Sequence, residues 1–127
     1  MERLRQRDIG IEAGLASVAD AERLIAVDRG KRALRILIEI TEQNVGEALA
    51  VADAIWAVLN RAEVRRSILL HGIDATVWSF VALAAERRWS TRVGLEDGSR
   101  LPDGTTASGN VALVTAAVQA FDERKRT

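Results

Sequence analysis

The stretch that decides the fold is Leu34–Ile40, with the sequence LRILIEI. It is rich in β-branched residues and too short for a typical helix, so it predicts a β-strand. Three other short apolar runs occur along the chain, and a stretch with helical periodicity follows each of the four. In chain order, the four runs are Ile9–Leu15, Leu34–Ile40, Ser67–His71 and Arg92–Glu96.

Helix signals lie between the apolar runs. Ser17, with Asp20 three residues later, predicts the start of a first helix that ends near Gly30. Asn44 and Glu47 predict the start of a second helix. Apolar stripes at helical spacing mark the second, third and fourth helices. They are Val45, Leu49, Ala52, Trp56 and Leu59; Val77, Phe80, Val81 and Ala84; and Val111, Val114, Val118 and Phe121, with a charged tail from Asp122 predicted to fray.

The order βαβαβαβα predicts an α/β fold with a parallel sheet and helical crossovers. One βα unit takes about 30 residues and a complete eightfold barrel about 250. The 127 residues therefore predict a (βα)4 half of a TIM-type (βα)8 barrel, as a single partial-barrel domain over residues 1–127. A small doubly wound sheet fits the same order. The glycine-rich phosphate fingerprint expected after its first strand is missing from the sequence.

The composition excludes several functional classes. Lys plus Arg and Asp plus Glu number 18 each, which argues against a nucleic-acid-binding protein because such proteins need a basic surplus. No apolar run approaches the roughly 18–20 residues of a membrane span, and the charged N-terminus lacks the apolar segment of a signal peptide. The chain has no cysteine and thus no disulfide or thiolate metal site. We predict a cytoplasmic protein.

The most informative functional motif is Arg92–Asp97 (RVGLED), followed by Leu101–Gly104 (LPDG). Two adjacent carboxylates end an apolar run that also carries an arginine. In a strand, Arg92 and Glu96 share one face, and Asp97 lies on the other. The carboxyl ends of the strands of a parallel barrel open into its active site. Glu96 is then an inward oxygen ligand or acid–base group, and Asp97 begins the loop beside it.

This motif resembles the closing segment of the β-keto acid cleavage enzymes, and the resemblance extends over nearly the whole chain. Gly10–Leu15 resembles the fifth strand of that family, Ile36–Ile40 the sixth, and Leu69–Gly72, with Trp78 six residues later, the seventh. The chain is therefore similar to the C-terminal half of the family's barrel.

The resemblance implies a zinc-dependent enzyme that exchanges acyl groups between a β-keto acid and acetyl-CoA and releases acetoacetate. It implies that Glu96 is a zinc ligand and that Glu12, Arg92 and Asp97 handle proton transfer and charge near the substrate. Zinc polarises carbonyl groups, a buried carboxylate accepts protons, and a guanidinium binds a carboxylate through two hydrogen bonds. Three weaker candidates for substrate binding are His71, Gly72 and Asn110.

One feature departs from the family pattern. The resemblance implies two further zinc ligands, histidines one residue apart after the second strand, whereas this chain has one histidine, His71. A catalytic zinc site normally takes three protein ligands. We therefore expect an incomplete site that binds zinc poorly alone. A complementary N-terminal half-barrel chain, or other copies of this chain in a homo-oligomer, would be its partner. The alternative is a non-catalytic half-barrel remnant or assembly module.

Several residues have two interpretations. Glu12 and Glu39 lie inside apolar runs, where burying an unpaired carboxylate is costly. This favours a position in a pocket, and a solvated sheet edge is the alternative. His71 is a hydrogen-bonded residue at a strand end or a metal ligand, and we favour the former. Gly72 lets a substrate anion approach the backbone or simply forms the turn.

Overall fold

The computed structural model describes residues 11–28 and 33–126. It contains one sheet of three parallel strands in the order β1 (Ile11–Leu15), β2 (Ala33–Glu39) and β3 (Ser67–His71). These strands confirm three of the four predicted runs. The positions of Ile9, Gly10 and Gly30 lie outside the described residues.

All four predicted helices are present. They are α1 (Val18–Asp28), α2 (Val45–Arg61), α3 (Val77–Arg87) and α4 (Asn110–Arg126), and a 3₁₀ turn at Asp74–Thr76 precedes α3. The last helix continues through the charged residues that we predicted to fray. The α/β class and the parallel sheet are confirmed, and the three-stranded sheet is compatible with part of a TIM-type barrel.

The predicted starts of α1 and α2 are confirmed by their capping hydrogen bonds. Ser17 Oγ accepts a hydrogen bond from the Asp20 N–H at 3.2 Å, and Asp20 Oδ2 accepts one from the Ala16 N–H at 2.9 Å. The Ala16 N–H holds the pKa of Asp20 below its usual value. Asn44 Oδ1 accepts from the Glu47 N–H at 3.0 Å. Both caps satisfy backbone donors that a helix start leaves without a partner.

The core lies between the helices and one face of the sheet. Ile36 and Ile38 of β2 are fully buried on this face, whereas Leu37 and Glu39 lie on the other face because neighbours in a strand alternate. The predicted stripe of α3 is buried. The buried residues of α2 are Ala48, Ala52, Ile55 and Leu59. Ala52 and Leu59 belong to the predicted stripe, and the other two do not.

The fourth predicted strand, Arg92–Glu96, is wrong. Ser90 makes one bridge to β3, with the Leu70 N–H donating to Ser90 O at 2.9 Å and the Ser90 N–H donating to Ile68 O at 3.0 Å. At the next residue, the Thr91 hydroxyl donates to Leu70 O at 2.8 Å. A side chain thus occupies the acceptor that a continuing strand would use, and the ladder ends there.

The predicted apolar stripe of α4 is also wrong. Val111, Val114 and Val118 are 81%, 48% and 55% exposed, and the buried residues are Leu113 and Ala117. The helix packs against α3, so the buried side is the one that faces α3. Val114 and Val118 instead line an open groove of about 480 Å³ beside Ser90–Val93.

None of the helices within the described ranges is both long and apolar enough to cross a membrane.

We predict that the hydroxyl of Thr91 stabilises the end of β3. Thr91→Val keeps the shape of the side chain but leaves the buried Leu70 carbonyl without this donor. The free energy of unfolding should fall by about 1–2 kcal/mol. Thr115→Val, at an exposed position of α4, is the matched control. Urea unfolding of both variants checks this, and equal losses would contradict it.

Candidate active site

The parallel register places Glu39 and His71 side by side. They are paired residues at the ends of β2 and β3, and their side chains lie on the face of the sheet that the helices do not cover. Glu39 Oε2 lies 3.0 Å from His71 Nε2. The His71 side chain is 1% exposed, whereas that of Glu39 is 39% exposed. One carboxylate at the end of β2 therefore contacts a buried imidazole.

A tight turn at Gly94–Gly98 replaces the predicted strand end. The Asp97 and Gly98 N–H groups both donate to Gly94 O, at 3.0 Å and 3.2 Å. Asp97 O in turn accepts from the Asp74 N–H at 2.6 Å, which ties the turn to the loop after β3. The turn directs the Asp97 side chain inward, where it is 8% exposed.

Asn110 also fixes this turn. Its Oδ1 accepts a hydrogen bond from the Leu95 N–H at 2.8 Å. Because Asn110 is the first residue of α4, the contact joins the motif to the last helix. We predicted Asn110 as a substrate-binding residue. In the described structure, its side chain instead contacts the backbone of Leu95.

Four side chains meet at this point, and we call Glu39, His71, Arg92 and Asp97 the four-residue cluster. Asp97 Oδ2 lies 3.6 Å from His71 Nδ1 and 3.6 Å from Arg92 Nε. Arg92 Nη2 lies 3.6 Å from Glu39 Oε2. Acidic and basic groups therefore alternate around a ring.

Two atoms of the cluster are buried without an aligned hydrogen bond among the described residues: His71 Nε2 and Asp97 Oδ2. The Glu39 oxygen is close to His71 Nε2 but does not meet the directional requirement of a hydrogen bond. The Asp97 oxygen is too far from both His71 and Arg92 to accept one. Buried polar atoms nearly always have a hydrogen-bond partner, so His71 Nε2 and Asp97 Oδ2 are exceptions to this rule.

Glu12 does not join the cluster. It is paired in register with Arg35, whose Nε donates to Glu12 Oε2 at 2.6 Å. Arg35 precedes Glu39 by four residues in β2, a distance of about 13 Å along the strand. Glu12 is exposed, and its ion pair with Arg35 is therefore solvated. The pair lies on the same face of the sheet as the four-residue cluster but far from it.

Glu96 lies next to Asp97 but is exposed. Its carboxylate folds back over Gly94, where an added Cβ would lie 2.7 Å from Glu96 Oε1. The prediction that Arg92 and Glu96 share a strand face is wrong because a turn, not a strand, carries Glu96. Its role as a metal ligand stays a prediction.

The loop after the motif is a compact turn. The Gly104 N–H donates to Leu101 O at 2.9 Å, and Gly104 has a φ of +90°, which favours glycine. Asp103 Oδ1 accepts from both the hydroxyl and the N–H of Thr105, at 2.6 Å and 2.9 Å. These hydrogen bonds hold the pKa of Asp103 below its usual value. The conformation of the LPDG segment thus follows from its own turn-forming residues.

The comparison with protein families agrees with this geometry. The model of the beta-keto acid cleavage enzyme family matches residues 17–127. The chain belongs to this family. No match was found among curated proteins. The matched region contains every residue of the four-residue cluster, and the family assignment predicted from the motif is confirmed.

Glu39 is the member of the cluster that the sequence identified least clearly. The signal was a carboxylate inside the most apolar strand, but it did not show which residue the carboxylate meets. The register between β2 and β3 supplies that partner. The interpretation of His71 as a hydrogen-bonded residue at a strand end is confirmed, because it ends β3 and its Nδ1 lies 3.3 Å from its hydrogen-bond partner Gly72 O. The residue also lies at the centre of the cluster.

Gly72 is required by close packing in the described structure. A Cβ there would collide with Thr76 Oγ1 and lie 2.9 Å from Phe80 Cδ2. We predict that Gly72→Ala lowers the free energy of unfolding by about 1–3 kcal/mol through overpacking. Gly14→Ala is the control because nothing lies within 4 Å of its added Cβ. Thermal and urea unfolding of both variants measure the difference, and a Gly72→Ala variant as stable as Gly14→Ala would refute the account.

Proposed function

We propose that this chain supplies the proton-transfer and carboxylate-binding part of a site that cleaves β-keto acids by acyl exchange with acetyl-CoA, releasing acetoacetate. Family membership supports the reaction class. The single structural observation that carries the proposal is Asp97 Oδ2, which is buried, without an aligned hydrogen bond, and flanked by Arg92 and His71.

Asp97 is the proposed proton acceptor. The carbon between the carboxylate and the ketone of a β-keto acid is acidic because the adjacent carbonyl delocalises the charge left behind. A carboxylate oxygen that is not committed to a hydrogen bond is suited to take that proton.

Arg92 is the proposed binder of the substrate carboxylate. Its side chain is 45% exposed, so part of the guanidinium faces solvent while Nε faces Asp97. A planar guanidinium binds a carboxylate through two parallel hydrogen bonds. A substrate held in this way lies close to Asp97, as acid–base catalysis requires.

The zinc ion implied by the resemblance does not fit the described residues by themselves. Within residues 11–28 and 33–126, no three His, Asp or Glu side chains are placed to hold a metal ion. Glu96 is exposed, and His71 contacts Glu39 and Asp97. We propose that zinc and acetyl-CoA take part only when further ligands from outside these residues complete the site, with Glu96 as the ligand from the described residues.

The test is acetoacetate release from β-keto acids in the presence of acetyl-CoA and zinc. The full chain is assayed alone and mixed with a polypeptide that corresponds to the first half of a family barrel. We predict that the mixture is active and that Asp97→Asn lowers its rate at least about a hundredfold, because a general base is lost.

Asp103→Asn is the matched control for this assay. It changes an exposed aspartate of the neighbouring turn and should leave the rate unchanged. Equal rates for Asp97→Asn and the wild type would contradict the role of Asp97. A mixture whose two halves associate, as shown by native mass spectrometry, but release no acetoacetate would contradict the proposed function.

A further inference from the structure

We propose that Glu39 is a positioning residue, which fixes His71 and Arg92 so that the imidazole and the guanidinium both flank Asp97. The inference rests on the proposed function, because it gives Glu39 a purpose in the reaction of Asp97. Neither the resemblance nor the family match assigns a role to this carboxylate.

The position of Glu39 follows from the sheet. It is the last residue of β2 and is in register with the last residue of β3, His71. The Ile40 N–H donates to His71 O at 3.3 Å, so the two strands are still joined just beyond this pair. Two directly paired residues on the same face of a sheet lie within side-chain contact. The pairing of the two strands therefore fixes the position of the Glu39 backbone relative to His71.

One oxygen of Glu39 lies close to both the imidazole of His71 and the guanidinium of Arg92. Glu39 Oε2 is 3.0 Å from His71 Nε2 and 3.6 Å from Arg92 Nη2. Another nitrogen of each group faces the same oxygen of Asp97, at 3.6 Å from His71 Nδ1 and 3.6 Å from Arg92 Nε. Glu39 and Asp97 therefore lie on opposite sides of His71 and Arg92.

In this arrangement, Glu39 and Asp97 have different roles. Glu39 is partly exposed and makes the shorter contact, whereas Asp97 is buried and makes two long ones. Glu39 contacts the imidazole and the guanidinium, and His71 Nδ1 lies 3.3 Å from its hydrogen-bond partner Gly72 O, so neither group needs to close on Asp97. The Asp97 oxygen is thus kept near positive charge without being consumed by a hydrogen bond.

The test compares Glu39→Gln with Glu86→Gln by NMR of the isotope-labelled full chain. Glu39→Gln keeps the shape of the side chain but removes its charge. Glu86 is the control because it pairs with Arg124 on the helical side of the molecule. The signals of interest are those that face Asp97 and not Glu39: His71 Nδ1, Arg92 Nε and the Asp97 carboxyl carbon.

Each of these signals can be identified directly. His71 is the single histidine of the sequence, and Arg92→Lys and Asp97→Asn remove the other two signals. We predict that Glu39→Gln shifts all three and speeds hydrogen exchange at Arg92 Nε, while the backbone spectrum elsewhere and the melting temperature stay near the wild type. Glu86→Gln should change none of them.

If Glu39 only fills space, Glu39→Gln will leave these three signals unchanged. That result would overturn the proposal. In a mixture that releases acetoacetate, Glu39→Gln should also lower kcat by about tenfold to a hundredfold, as expected when a reacting group is misplaced. An unchanged kcat would likewise overturn it. If the wild type releases no acetoacetate in any mixture, the proposed function fails, and the NMR comparison still decides the role of Glu39.

Discussion

The site depends on one constraint, the parallel register that places Glu39 of β2 beside His71 of β3. This pairing puts a carboxylate and an imidazole in contact at the end of the sheet. The imidazole is buried and has a second nitrogen, which faces the next carboxylate, Asp97. A shift of register by one residue would move Glu39 to the core face of the sheet. The cluster would then lose the member that lies close to both His71 and Arg92.

The Gly94–Gly98 turn supplies Asp97 to the cluster, and the hydrogen bonds of this turn account for the residues of the Arg92–Asp97 motif. Gly94 accepts two backbone hydrogen bonds, Asn110 binds the Leu95 N–H, and Asp97 reaches the loop after β3. Together these contacts send Asp97 inward and leave Glu96 exposed. Two adjacent carboxylates thus acquire different environments: Asp97 is buried beside His71 and Arg92, and Glu96 is exposed.

The sequence predicted the three strands and four helices because their signals are local: short apolar runs, caps such as Ser17 and Asn44, and helical periodicity. It failed at Arg92–Glu96, where the decisive contact joins the Thr91 hydroxyl to a carbonyl 21 residues earlier. It also failed for α4, because Leu113 and Val114 are both apolar and only packing against α3 decides which is buried. The family match confirms the family that the sequence predicted, and the site roles of Arg92 and Asp97 stay predictions. The separation of Glu12 and the contacts of Glu39 depend on register, which the sequence did not predict.

We expect the contact between His71 and Asp97 to couple the sheet energetically to the Gly94–Gly98 turn. A double-mutant cycle on the free energy of unfolding, with His71→Gln, Asp97→Asn and the double variant, tests it most directly. The account predicts a coupling of about 1 kcal/mol or more between the two residues, within the range seen for side chains in contact. Additivity within about 0.5 kcal/mol, the behaviour of distant independent sites, would contradict it.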